Sequence, residues 1–207
     1  AAMRAGELTP APKSRHRGQL REGFRYLRGR RDLLVVFFLV FVLGTFGMNF
    51  QITTALMATR VYGKGAGEYG LLGSIMAIGS LGGALLAARS ARPRLRLLFV
   101  ALGAFTAATA LLALAPTYLS FAILLVPTGL AALVVITTAN ALVQLSAAPE
   151  MRGRVMALYM ATFMGGTPLG APLIGWIGDT LGARWTIGAG ALAVGLSLGA
   201  VCLWRLR

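Results

Sequence analysis

Charged residues are absent from five stretches of the chain, 33–59, 69–88, 97–149, 155–178 and 185–204, which are built from aliphatic, aromatic and small residues. A helix rises 1.5 Å per residue, so about 20 apolar residues cross the roughly 30 Å of hydrocarbon in a bilayer. The stretch from 97 to 149 is too long for one such helix. It divides at Pro116-Thr117, because proline lacks a backbone donor and biases Ala115 away from helix. The pattern therefore predicts six spans, at about 33–58, 69–88, 97–115, 118–147, 155–177 and 185–204. The polar residues inside them are mostly Ser, Thr and Gly, which let helices approach closely in lipid. The expected fold class is an all-α membrane protein with six transmembrane helices.

The segment before the first span reads differently. Residues 1–18, with Pro10, Pro12, Gly18 and scattered charge, predict a flexible linker. Over residues 19–32, Leu20, Phe24 and Leu27 recur at i, i+4 and i+7, flanked by Arg21, Arg25 and Arg28. That spacing predicts a short amphipathic helix lying on an anionic membrane surface, with a solvated basic linker as the alternative. Residues 33–207 then form the bundle. The first 32 residues contain no apolar core of a signal peptide. The chain opens Ala1-Ala2-Met3, from which a processed form or a piece of a longer protein is expected.

Composition sharpens this picture. The 207 residues include 20 Lys plus Arg against 6 Asp plus Glu, a net charge of +14. Yet 57% of residues are hydrophobic and only 13% charged, about half the share usual in soluble domains. Mean hydropathy is +0.75. Seventeen of the basic residues fall at 4–31, 89–96, 152–154 and 205–207, and only Arg60, Lys64 and Arg184 fall on the opposite side of the predicted spans. Such an alternation follows the positive-inside rule and puts both termini in the cytoplasm of a bacterial cell membrane. It accounts for the charge without nucleic acid as a partner. One cysteine, Cys202, and one histidine, His16, exclude a disulfide framework and a Cys/His metal site, and no cofactor is expected.

Three segments resemble the C-terminal half of a major facilitator superfamily transporter. Glu22-Gly23-Phe24-Arg25-Tyr26-Leu27 is similar to the lead into that half's first helix. Gly67-Glu68-Tyr69-Gly70-Leu71-Leu72-Gly73 is similar to the start of the next, and Pro149-Glu150-Met151-Arg152-Gly153-Arg154-Val155-Met156 to the loop between the tenth and eleventh helices. The nearest likeness is to the third drug:proton antiporter branch, which includes enterobactin exporters and macrolide efflux proteins. The resemblance spans residue 19 to the end. It implies helices seven to twelve of a twelve-helix protein, two inverted three-helix repeats, and an N-terminal six-helix half as partner. The superfamily's basic loop motif survives in part after the second span: Ala84, Leu86, Ala87, Arg89 and Arg92 fit it, while Ala88 replaces the acid and Ala91 a glycine. A fuller copy of the frame runs from Gly175 to Arg184, where Asp179 would cap a helix and pair with Arg184 around a turn at Gly182.

No ionisable residue lies inside a predicted span, so this chain supplies no buried proton relay; a coupling carboxylate would be a membrane-edge acid such as Asp32 or lie elsewhere. No nucleophile–base pair or phosphate loop is present, and no catalytic residue or metal site is expected. What remains is carboxamides. Asn49 and Gln51 lie in the first span; Asn140 and Gln144, with Thr137 one turn before, share a face of the fourth. Their expected role is hydrogen bonding to a moderately polar substrate in a wet cavity, with bonding between helices as the alternative. Gly165, Gly166, Pro168, Gly170, Pro172 and Gly175 crowd the fifth span and resemble the family's glycine-proline antiporter motif, which predicts a helix that bends and slides against the partner half. Pro127 and Gly129 predict a kink in the fourth. The functional expectation is secondary efflux of a small amphipathic molecule, drug-like or siderophore-like, by alternating access. The alternatives are a six-span permease subunit of an ATP-driven transporter and a structural membrane protein without transport.

Overall fold

The computed structural model describes residues 19–89 and 94–206, with side chains over 22–89 and 94–205. The linker expected over 1–18, His16, Arg92 and the side chains of Leu20 and Arg21 lie outside the described residues. Seven helices follow in order: α1 (Gln19–Arg28), α2 (Arg31–Val61), α3 (Ala66–Arg89), α4 (Leu95–Ala113), α5 (Tyr118–Ser146), α6 (Arg152–Thr180) and α7 (Ala183–Leu206). Among the described residues there is no strand. Five helices, α2 to α5 and α7, are long and apolar enough to cross a membrane. The expectation was six. At 29 residues α6 has the length, but its Gly, Pro and Thr content leaves it less apolar than the rest.

Local chemistry sets the ends. Pro116 ends the α4 side of the connection, and Thr117 starts α5 with a reciprocal cap: its hydroxyl accepts from the Ser120 N–H at 3.2 Å, and the Ser120 hydroxyl accepts from the Thr117 N–H at 3.1 Å. Gly182 (φ +96) takes the left-handed turn that closes α6. The segment that begins at residue 19 ends at Arg28 rather than 32, where the Arg30 N–H bonds the Leu27 carbonyl at 2.9 Å and Asp32 falls in the first turn of α2. Nor does α1 simply lie on a surface. Leu27 is buried, Gly23 abuts Leu158 of α6, the Tyr26 hydroxyl accepts from the Ala148 N–H at 3.0 Å, and Glu22 pairs with Arg154. Phe24 points outward.

Helix α3 packs along α5, α4 lies on α5 and α7, and α2 packs on α6 and α7. Consecutive α3 and α4 barely touch each other. One buried cluster, around Leu39, Leu43, Leu102, Phe105, Val135 and Tyr159, fills the bundle toward the end that α1 covers, here called the lower end. A second, around Met57, Leu72, Leu112, Phe121 and Leu125, fills the upper end. There Tyr62 donates to the Ala115 carbonyl at 2.9 Å, and Arg184 donates to the Ala113 and Ala115 carbonyls at 3.0 and 2.7 Å, tying three connections together. Burial pushes the Tyr62 phenol above its ordinary value and Arg184 opposes that shift, so the hydroxyl stays a donor.

Candidate functional site

The helix that breaks is α2. Its turns at Leu43–Gly47 and Met57–Val61 are wide, with i to i+5 bonding, and between them Met48 (φ −103, ψ 23) and Asn49 (φ −90, ψ 34) leave helical geometry. Asn49 is 4% exposed, and its Nδ2 donates to the Thr45 carbonyl at 2.7 Å. Its Oδ1 is buried with no hydrogen-bond partner. The Thr45 hydroxyl bonds the Phe41 carbonyl at 2.7 Å, and Thr53 and Thr54 are also buried, so the break carries a polar layer inside an apolar bundle.

Helix α6 crosses α2 at this point, backbone to backbone. A Cβ on Gly170 would stand 1.6 Å from the Thr45 carbonyl oxygen, and one on Gly166 would stand 2.7 Å from the Thr45 hydroxyl. Reciprocally, a Cβ on Gly44 would meet the Phe163 carbonyl oxygen at 2.4 Å. The Thr167 hydroxyl donates to the Gly44 carbonyl at 3.4 Å. Gly166 and Gly170 are thus committed inside this bundle, a correction to the expectation that the whole 165–175 helix serves a partner half. Gly165, Pro168 and Pro172 lie on the exposed face, and Gly175 has open space around it.

The other predicted residues are distributed differently. Gln51 is exposed, so the pair in α2 divides: Asn49 inward, Gln51 outward. On α5, Thr137 donates to the Leu133 carbonyl at 2.7 Å and lines a cavity of about 350 Å³ reached by Ala84, Ala87 and Leu97 of α3 and α4. Asn140 is half-buried and Gln144 exposed. Pro127 does not interrupt α5. Gly129 is instead a packing point, where a Cβ would meet the Met76 carbonyl oxygen at 2.4 Å. Asp179 neither caps a helix nor pairs with Arg184: α6 runs through it to Thr180, and its partner is Arg60 at 2.8 Å. Arg184 follows the Gly182 turn and is directed at the α4–α5 connection instead. Arg89 ends α3, exposed. Thr45 escaped sequence reasoning, although Gly44-Thr45-Phe46-Gly47, two glycines about a threonine within a span, signals a close approach. Tyr159, fully buried with its hydroxyl unpartnered and its ring edge-on to Phe37, carried no such signal.

A bundle of apolar helices with a polar break at a glycine crossing suits passage of a solute through a membrane, and sequence comparison agrees. The family model of the Major Facilitator Superfamily matches residues 3–171. The chain belongs to that superfamily. Major facilitator proteins are transporters rather than enzymes, so this multi-pass chain is a transmembrane transporter in general terms. No curated protein matches the chain.

Proposed function

We propose that the chain is the C-terminal six-helix half of a secondary efflux transporter, nearest the third drug:proton antiporter branch, which exports a small amphipathic molecule by alternating access. The observation that carries this is the break in α2, where the buried Asn49 Oδ1 lacks a donor directly beside the α6 crossing. Interrupted helices in transporters hold substrate at the membrane midplane with groups their ladders leave free. An acceptor without a partner there favours a ligand that donates a hydrogen bond. Asn140 and Gln144, with Thr137 in its cavity against α3 and α4 and Gln51 on the exposed side of α2, are taken as further substrate contacts apart from the break.

The packing pairs support a pair of inverted repeats. Exchanging α2 with α5, α3 with α6 and α4 with α7 turns the α3/α5 contact into the α6/α2 contact and the α4/α5 contact into the α7/α2 contact. The exposed Gly165, Pro168 and Pro172 face suits an N-terminal partner half that rocks against it. Arginines crowd the lower end, so that end, with both termini, is assigned to the cytoplasm of a bacterial cell membrane.

Cells carrying the full-length protein and its Asn49→Leu, Asn140→Ala and Gln144→Ala variants, at matched expression, test the reading through accumulation of a lipophilic cation and of a catechol siderophore. Export of at least one compound is expected, and Asn49→Leu should cut it about tenfold, one buried hydrogen bond's worth. Accumulation equal to that of empty cells, or indifferent to all three substitutions, overturns it.

A further inference from the structure

Helices α3 and α4 follow one another in the chain yet rest side by side on α5 without packing together, which leaves a furrow between them. Leu86 and Ala87 form one wall, Leu97 and Val100 the other, and Leu130 and Val134 of α5 the floor. The furrow holds about 350 Å³, and every side chain lining it is aliphatic. It opens outward: Val100 is 69% exposed and Leu86 50%. At the lower end each wall continues into arginine. Arg89 stands three residues beyond Leu86 and Arg96 four before Val100, spacings that put each charge on the same helix face as its apolar neighbour, and Arg94 stands in extended backbone immediately before α4. All three are exposed, and the ion pairs among the described residues use Arg60, Arg154 and Arg205 instead.

We infer that the furrow is a binding site for one anionic phospholipid, its acyl chain between α3 and α4 and its phosphate at Arg89, Arg94 and Arg96. An alkyl-shaped, fully apolar trough that ends in three positive charges complements an amphiphile with one tail seated and a negative head. The trough is on the periphery of a membrane bundle, so bilayer lipid reaches it directly. Basic groups at such a surface contribute about fivefold each in affinity for anionic lipid. The furrow is separate from the α2 break, and through Ala87 and Leu97 it adjoins the cavity that Thr137 lines.

Native mass spectrometry of the full chain in detergent, titrated with phosphatidylglycerol or phosphatidylcholine of the same acyl composition, tests it. One tightly retained phosphatidylglycerol is expected, preferred over phosphatidylcholine by about tenfold or more. Each of Arg89→Gln, Arg94→Gln and Arg96→Gln should reduce that preference about fivefold with no change in melting, since all three side chains are exposed. Ala104→Phe, which fills the furrow and keeps every charge, should weaken both lipids alike. Three results overturn the inference: a preference that survives the triple arginine variant, binding untouched by Ala104→Phe, or inorganic phosphate bound as tightly as phosphatidylglycerol.

Discussion

Two helix crossings in this protein are built alike. In one, Gly79 and Gly83 of α3 meet the Val126 and Leu130 carbonyls of α5, and the Ser80 hydroxyl donates to the Gly129 carbonyl at 3.4 Å. In the other, Gly166 and Gly170 of α6 meet Thr45 of α2, and the Thr167 hydroxyl donates to the Gly44 carbonyl, also at 3.4 Å. Each has the frame Gly-Ser/Thr-x-x-Gly on one helix and a glycine opposite. Small residues let the backbones touch, and dispersion between close chains replaces the hydrophobic drive that lipid removes.

Where they differ is in the helices that bear them. Helices α3 and α5 run without a break over 24 and 29 residues, and the joint between them contains one proline, Pro127 of α5. Helix α2 has two wide turns and a break, and α6 carries Pro168 and Pro172, each of which removes one ladder bond. The same joint therefore sits once between rods with one missing ladder bond and once between rods with several and an outright break. A bundle that must flex does so where backbone bonds are already missing, and the buried Asn49 lies at that place.

The largest expected effects come from filling the joints. Gly170→Ala and Gly79→Ala place a Cβ 1.6 and 2.0 Å from carbonyl oxygens, so two backbones must part. Overpacking of this kind costs about 3 kcal/mol or more, enough to lower the melting temperature in detergent by several degrees. Gly175→Ala, with nothing within 4 Å, should be neutral. Because its helices have soft points, the α2/α6 joint should absorb the insult better. Gly79→Ala should thus be the more damaging of the two despite the looser contact, and the reverse order would mean the soft points give no relief.

Much of this was legible in the sequence, and the rest was not for identifiable reasons. The helices lie over the charge-free runs, and the α4–α5 turn at Pro116 follows from proline's missing donor. The small residues announced close packing, but not against what: Gly166 and Gly170 were read as facing a partner half because composition cannot say which side of a helix is already occupied. The break at Asn49 has no proline to mark it; it arises where α6 meets Thr45 and the Asn49 side chain takes the Thr45 carbonyl. Asp179 pairs across 119 positions with Arg60, whereas the sequence offered a nearer arginine five residues on.

Hydrogen exchange in lipid probes the difference in stiffness directly. Amides of residues 46–53 in α2 should exchange at least about thirtyfold faster than those of residues 76–83 in α3, since local opening starts where ladder bonds are absent. Equal protection would mean that the α2 break is as rigid as a continuous helix, and the contrast between the joints would then be one of shape alone.

The smallest effect gives the closest control. Ser80→Ala and Thr167→Val each remove one hydroxyl that donates to a glycine carbonyl across a crossing, with the same 3.4 Å geometry. A bond between helices in a membrane protein contributes about 0.6 kcal/mol, so each variant should melt only slightly below the parent, and by similar amounts. The single Ser80 hydroxyl proton is shared with the nearer Met76 carbonyl of its own helix at 3.1 Å, so its bond across the crossing is the weaker of the two. Thr167→Val should therefore be marginally the costlier in stability. If transport falls with Thr167→Val and not with Ser80→Ala while both melt alike, the two crossings are equal as glue and unequal in use, as a stiff joint beside a soft one requires.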